Sequence, residues 1–183
     1  MSPLRILIVL AHPAFQRSRA NRELAEAARR LDGVRVHDLY EAYPDFCIDV
    51  PREQQLLLVH DLVVFQYPFY WYSSPALLKE WQDLVLEHGW AYGHAGTALA
   101  GKALLAAMTA AGGRQDYTPA GHNGFTIRQL LAPLEQTARR CGMRFLPPFV
   151  VHDSRRRRVD EAMGTVAATY ARALAGLRDG ALA

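Results

Sequence analysis

The chain has 183 residues, half of them hydrophobic and 21% charged, with a formal net charge of +3. That length suits one domain with a substantial core, and the composition is that of an ordinary water-soluble globular protein. The basic residues are dispersed except at Arg155–Arg158, which excludes a broad nucleic-acid-binding face, and the opening MSPLRILIVLAH has an apolar run too short for a secretion signal or a membrane span. The expected location is therefore the cytoplasm. Cys47 and Cys141 stand far apart, outside any CxxC or zinc spacing, and read as two buried thiols.

In chain order, RILIVL (5–10) is a continuous apolar run, the mark of a strand buried on both faces. It opens into AHPAFQRSRAN, a loop rich in polar side chains but without glycine. The segment 18–31 repeats Ala20, Leu24, Ala27, Ala28 and Leu31 at helical spacing, with Ser18 as N-cap and Gly33 as stop. A second strand is predicted over 34–40 and a short helix over 51–60, with Pro51 in its first turn. A third strand covers 61–68. Pro75 opens a helix that Gly89 closes. A fourth strand covers 101–110, a helix bent or begun at Pro133 covers 126–142, and a fifth strand at 143–152 is interrupted at Pro147-Pro148. A closing helix covers 159–177. Strands and helices alternate, and the strands carry no polar face. This pattern predicts an α/β three-layer sandwich around a five-stranded parallel sheet, order 2-1-3-4-5, forming one domain over 1–183. A six-stranded dinucleotide fold is disfavoured because no GxGxxG follows the first strand.

In such a sheet ligands bind beyond the carboxyl ends of the strands, where loops 11–18, 68–75 and 110–125 meet. The first loop feeds a helix start, whose free N–H groups and dipole suit an anion. Ser18 and Asn21 add hydrogen-bond donors, and His12 and the arginines add charge. Either His12 or Ser18 alone is equally well read as a simple cap. Together, in a long connection, they point to phosphate. The second loop holds four aromatics in a row, Phe69, Tyr70, Trp71 and Tyr72, suited to walling a flat conjugated ring or to packing a subunit interface. The third has small residues, Thr109, Ala110, Ala111, Gly112 and Gly113, that let backbone approach a ligand, with Tyr117 and His122 further on as possible proton donors.

The AHPxxxxSxAN opening, PFYWYSSPALLKEW, TAAGG and the Tyr117/His122 loop together resemble the flavodoxin-like NAD(P)H:quinone oxidoreductases. More narrowly, LYEAYPDFCIDV (39–50), HGWAYGHAGTALAGK (88–102) and GMRFLPPFVVH (142–152) resemble the ancillary flavoprotein of bacterial glutathione-gated potassium-efflux systems. The resemblance runs over about residues 5–153, beyond which only a generic helix corresponds. It implies a homodimeric flavoenzyme using FMN or FAD, with NADH or NADPH as hydride donor and a quinone-type acceptor following in the same place. His12 and Ser18, Arg19, Ala20 and Asn21 would hold the flavin phosphate and ribityl chain. Pro68 to Tyr72 would flank the ring, and Thr109 to Gly113 would offer backbone N–H groups to its edge. Tyr117 and His122 would stand beside it as the catalytic pair. This chemistry requires no metal. The relatives carry a second threonine and a glycine where this chain has Ala110 and Ala111, which leaves the backbone donors intact. The narrower resemblance also implies an alternative role. The chain would then be a regulatory subunit docked on a potassium-efflux membrane protein at the inner face of the membrane. A one-electron flavodoxin fits worse, since those proteins are acidic and have a Ser/Thr/Gly-rich first loop. Arg155–Arg158 reads as a solvated loop, with the 2′-phosphate of NADPH or an acidic partner as alternatives.

Overall fold

The computed structural model describes residues 3–154 and 157–180. Strand β1 (Ile6–Leu10) pairs in parallel with β2 (Val34–Asp38) on one side and β3 (Leu62–Pro68) on the other. Strand β3 pairs with β4 (Ala103–Thr109), giving the order 2-1-3-4. Every residue of β1, β3 and β4 is buried, as their unbroken apolar runs require. Side chains alternate across the sheet. Leu7, Val9, Phe65 and Met108 enter one core layer, while Ile6, Ile8, Val64 and Leu105 enter the other.

The fifth position departs from a single strand. It is filled by two segments, β5 (Arg144–Phe145) and β6 (Phe149–Val151), each pairing with β4. The sheet thus has six strands in five positions, because Pro147 and Pro148 have no N–H to donate to the ladder.

Helix α1 (Arg19–Arg29) and the closing α7 (Arg157–Arg178) cover one face. The other is covered by α3 (Val50–Leu58), α4 (Ala76–Val85) and α6 (Ala132–Arg140), reached after the short turns α2 (Leu39–Ala42) and α5 (Ile127–Leu130). Two boundaries fall short of the sequence reading. Strand β2 stops at Asp38 because its carboxylate accepts from the N–H groups of Tyr40 and Glu41 and starts α2. The 126–142 segment breaks at Leu131, with Pro133 in the first turn of α6. Cys141 is buried as expected, whereas Cys47 is exposed, since it lies in the loop before α3 with its N–H on the Asp45 carboxylate. Arg155 and Arg156 and the side chains of Arg157 and Arg158 lie outside the described residues.

Register decides where a site can form. Pro68 of β3 lies level with Thr109 of β4, and Leu10 of β1 with Gln66, so all three strands release their chains at the same edge. The three unusual loops emerge together there.

Candidate functional site

Between these loops lies a cleft of about 450 Å³, bordered by His12, Arg17, Ser18, Phe69, Tyr70 and Thr109. Its phosphate-suited end is built around α1. Ser18 is the N-cap, and its Oγ accepts from both the backbone N–H (3.3 Å) and the side-chain Nδ2 (3.1 Å) of Asn21. Both lone pairs of the hydroxyl are then committed, so its proton is left to point outward. The Thr109 hydroxyl likewise accepts from Asn21 Nδ2, at 3.0 Å. One buried amide therefore anchors two hydroxyls and leaves the Ser18 hydroxyl as a donor. Asn21 is itself held from below: its carbonyl accepts from Gln66 Nε2 at 2.9 Å, and Gln66 Oε1 accepts from the Tyr170 hydroxyl of α7 at 3.3 Å. Its Oδ1 is buried and has no partner among the described residues.

His12 Nδ1 accepts the Ala14 N–H at 3.1 Å, which places the ring proton on Nε2. Burial pushes its pKa below the ordinary histidine value, so the ring is neutral and offers a donor rather than a charge. Phe15 and Tyr70 flank it with ring centroids at 6.5 and 6.2 Å.

The second loop is a tight reversal. Tyr70 and Ser73 exchange both backbone hydrogen bonds, at 3.1 and 2.9 Å, across Trp71 and Tyr72, whose φ angles are +47° and +62°. Two adjacent left-handed residues are the geometry of a type I′ turn, usually given to Asn-Gly. Aromatic residues there cost on the order of 1–2 kcal/mol each. The turn leaves Trp71 92% exposed and frees the Trp71 and Tyr72 N–H groups, which have no acceptor among the described residues.

In the third loop the backbone donors divide. Ala110 N–H is taken by Val151 O at 2.8 Å and Gly113 N–H by the Asp116 carboxylate at 2.6 Å. Ala111 and Gly112 keep theirs free among the described residues. The donor series implied by the resemblance thus reduces to these two. Ala110 is fully buried, so the hydroxyl it lacks is missing from the core rather than from the cleft. A Cβ on Gly112 would stand 2.9 Å from Asp116 Oδ2 and 3.3 Å from the Tyr117 ring, so glycine lets Tyr117 close on the loop. Tyr117 lies against Phe69 (6.2 Å between centroids), and burial with the nearby Tyr72 and Asp116 raises its pKa, keeping it a proton donor at neutral pH.

These features can bind an anion at the α1 start and hold a flat ring between aromatic side chains and four free N–H groups. The family described as Flavodoxin-like fold matches residues 4–175. The FMN complex of general stress protein 14 from Treponema denticola is 38% identical, covering 94% of this chain and 99% of that one, with a TM-score of 0.90. An NADPH-quinone reductase from P. pentosaceus is 30% identical over 93% and 98%, with a TM-score of 0.83. A chain in the structure of a thermophilic tryptophan halogenase enzyme from S. violaceusniger is 41% identical over 90% and 95%, with a TM-score of 0.84. The chain belongs to the flavodoxin-like NAD(P)H:quinone oxidoreductase family.

Within that quinone-oxidoreductase frame, the fold brings His12, Ser18, Asn21, Phe69, Tyr70, Thr109 and Tyr117 to one edge, together with the Ala111 and Gly112 backbone. Arg19 borders the cleft but its Nε donates to Glu23 at 2.9 Å. His122 is exposed, and among the described residues it makes no hydrogen bond or ring contact; its neighbour Asn123 instead accepts from the Tyr72 hydroxyl at 3.1 Å. The histidine ring beside Tyr117 is His152, at 5.8 Å. Its Nδ1 is buried without a partner among the described residues, and burial with Arg114 nearby lowers its pKa. The signal for it was present in GMRFLPPFVVH, since β6 runs beside β4 and ends level with Thr109. Arg17, one of the arginines read from the first loop as supplying charge, also borders the cleft, as does Ser154, which no local pattern marked.

Proposed function

We propose that the chain is an FMN-dependent NAD(P)H:quinone oxidoreductase. The observation that carries this reading is the Asn21 clamp: one buried amide holds the Ser18 hydroxyl at the start of α1 and the Thr109 hydroxyl at the end of β4, leaving the Ser18 hydroxyl as a donor. That arrangement serves an acceptor-rich anion such as the FMN phosphate, joined by the neutral His12 Nε2–H and the free Ala20 N–H. Phe69, Tyr70 and the Trp71–Tyr72 turn would flank the ring, with the Ala111 and Gly112 N–H groups at its edge.

Bound there, FMN supplies a two-electron carrier that takes hydride from NAD(P)H and gives it to a quinone in alternate visits. The chain's own contribution is position and electrostatics. The free N–H groups and the protonated Tyr117 hydroxyl would stand where negative charge develops, needing no reorganisation when it does. His122 is the second catalytic candidate. The exposed Trp71, Tyr72 and Phe125 lie on this same side and suit a second copy of the chain, whose approach would close the cleft and cover His122.

A test is direct. The purified chain should take up FMN and show flavin absorption bands that NADH or NADPH bleaches without oxygen and a quinone restores. A colourless protein that binds no added flavin overturns the reading. The alternative is a regulatory subunit on a potassium-efflux membrane protein. It draws on residues 39–50, where Phe46 stands 41% exposed with a positive φ. Activation of an efflux channel's cytoplasmic domain by a redox-dead variant would decide for it. No helix among the described residues is long and apolar enough to cross a membrane.

A further inference from the structure

The cleft draws three basic residues from the sequence, and the fold leaves one of them uncommitted. His12 is neutral, with Nδ1 occupied by the Ala14 N–H. Arg19 is tied to Glu23 one turn along α1, which offsets its charge. Arg17 ends the 3₁₀ turn Phe15–Arg17 and borders the cleft; its backbone N–H donates to Ala14 O at 2.9 Å, and its side chain makes no hydrogen bond or ion pair among the described residues. We propose that Arg17 is the residue that reads the charge of the flavin's phosphate, selecting FMN over both riboflavin and FAD.

The division of labour follows from the donors present. Ser18, Thr109, His12 Nε2–H and the Ala20 N–H are neutral, and neutral donors bond a phosphomonoester and a phosphodiester about equally well. A guanidinium does not. The terminal phosphate of FMN carries close to two charges at neutral pH and presents three unesterified oxygens, a match for the planar fork of Arg. The corresponding phosphate of FAD is esterified on both sides and carries one charge. Riboflavin offers no anion at all. Placing the selective charge on a side chain without an internal carboxylate partner avoids the competition that Arg19 has with Glu23. The inference rests on the flavin reading above, and its test separates the two.

The full chain, stripped of flavin, is titrated with riboflavin, FMN and FAD by fluorescence quenching, at low and raised salt, for the wild type, Arg17→Gln and Arg17→Lys. Wild type should prefer FMN to both other flavins. Arg17→Gln should weaken FMN by roughly ten- to a hundredfold while leaving riboflavin unchanged, in line with loss of one charged hydrogen-bonding partner. The salt dependence of FMN binding should shrink with it, and Arg17→Lys should restore part of the affinity. FMN affinity unchanged in Arg17→Gln, or riboflavin and FMN falling together, overturns the role of Arg17 while the flavin reading stands. A wild type that binds none of the three flavins overturns both.

Discussion

Trp71 shows at the scale of one residue how function shapes this chain. It lies in the left-handed region at φ +47° and is 92% exposed, so neither backbone preference nor burial rewards it. Asparagine tolerates this conformation far better. Trp71→Asn should therefore raise stability by about 0.5–1 kcal/mol, read as a shift in the urea midpoint, while lowering quinone-reductase turnover. A variant that loses stability as well would show that Trp71 supports the fold. Tyr117 and His122 call for the opposite test. The double variant Tyr117→Phe, His122→Gln should keep bound flavin but lose most of the rate of flavin reduction by NAD(P)H, by about ten- to a hundredfold for each proton donor removed. Unchanged rates in single-turnover measurements would remove both residues from the catalytic step. His12, Ser18 and Asn21 were legible because an N-cap and its helix are local in sequence. His152 was not, since its neighbour Tyr117 is 35 residues earlier and only the β4–β6 pairing brings the two together.

Between elements, the most consequential contact is away from the cleft. Glu53 of α3 is fully buried, and its carboxylate accepts from His37 of β2 (2.8 Å), the Tyr43 hydroxyl (2.6 Å) and Trp81 of α4 (2.8 Å). Burial alone would raise its pKa, but the three hydrogen bonds outweigh burial and hold it below the ordinary value. One acid thus joins a strand and two helices and fixes the loop carrying Tyr40 and Phe46, whose rings meet at 6.1 Å. Glu53→Leu strands three buried donors and should cost about 3–5 kcal/mol in denaturant unfolding. The pH dependence has a definite sign. Because the folded pKa is lowered, the contribution of Glu53 is complete above the unfolded value of about 4.5 and is lost as pH falls through the folded value. That part of the acid-induced destabilisation should be missing from Glu53→Leu. The sequence predicted a short helix here but could not show that Glu53 is buried beside Leu56 and Leu57, because its partners come from β2, Tyr43 and α4.

For the molecule as a whole, the open question is what covers the aromatic edge. Trp71, Tyr72 and Phe125 are 92%, 47% and 55% exposed beside the cleft. A second copy would bury them, so sedimentation should give twice the chain mass, and Trp71→Asp with Phe125→Asp should shift the protein toward a monomer. A wild type that sediments as a monomer would leave the cleft open on that side and require another source of shielding.

The sequence by itself determined the architecture and the edge where the three unusual loops meet. The short, predominantly apolar runs RILIVL and LVVFQYP mark strands covered on both faces, and right-handed crossovers then bring loops 11–18, 68–75 and 110–125 to one end. It also located the proline interruption of the last strand, though not its resolution into two paired segments. Tertiary structure alone decided the direction of the donors. Asn21 reaches Thr109, 88 residues away in sequence, at 3.0 Å, and Arg19 pairs with Glu23 whereas the Arg17 side chain has no partner among the described residues. Hydrophobic periodicity is written along the chain, whereas the direction of a hydroxyl proton and the pairing of a charge depend on which distant groups folding brings within three ångströms.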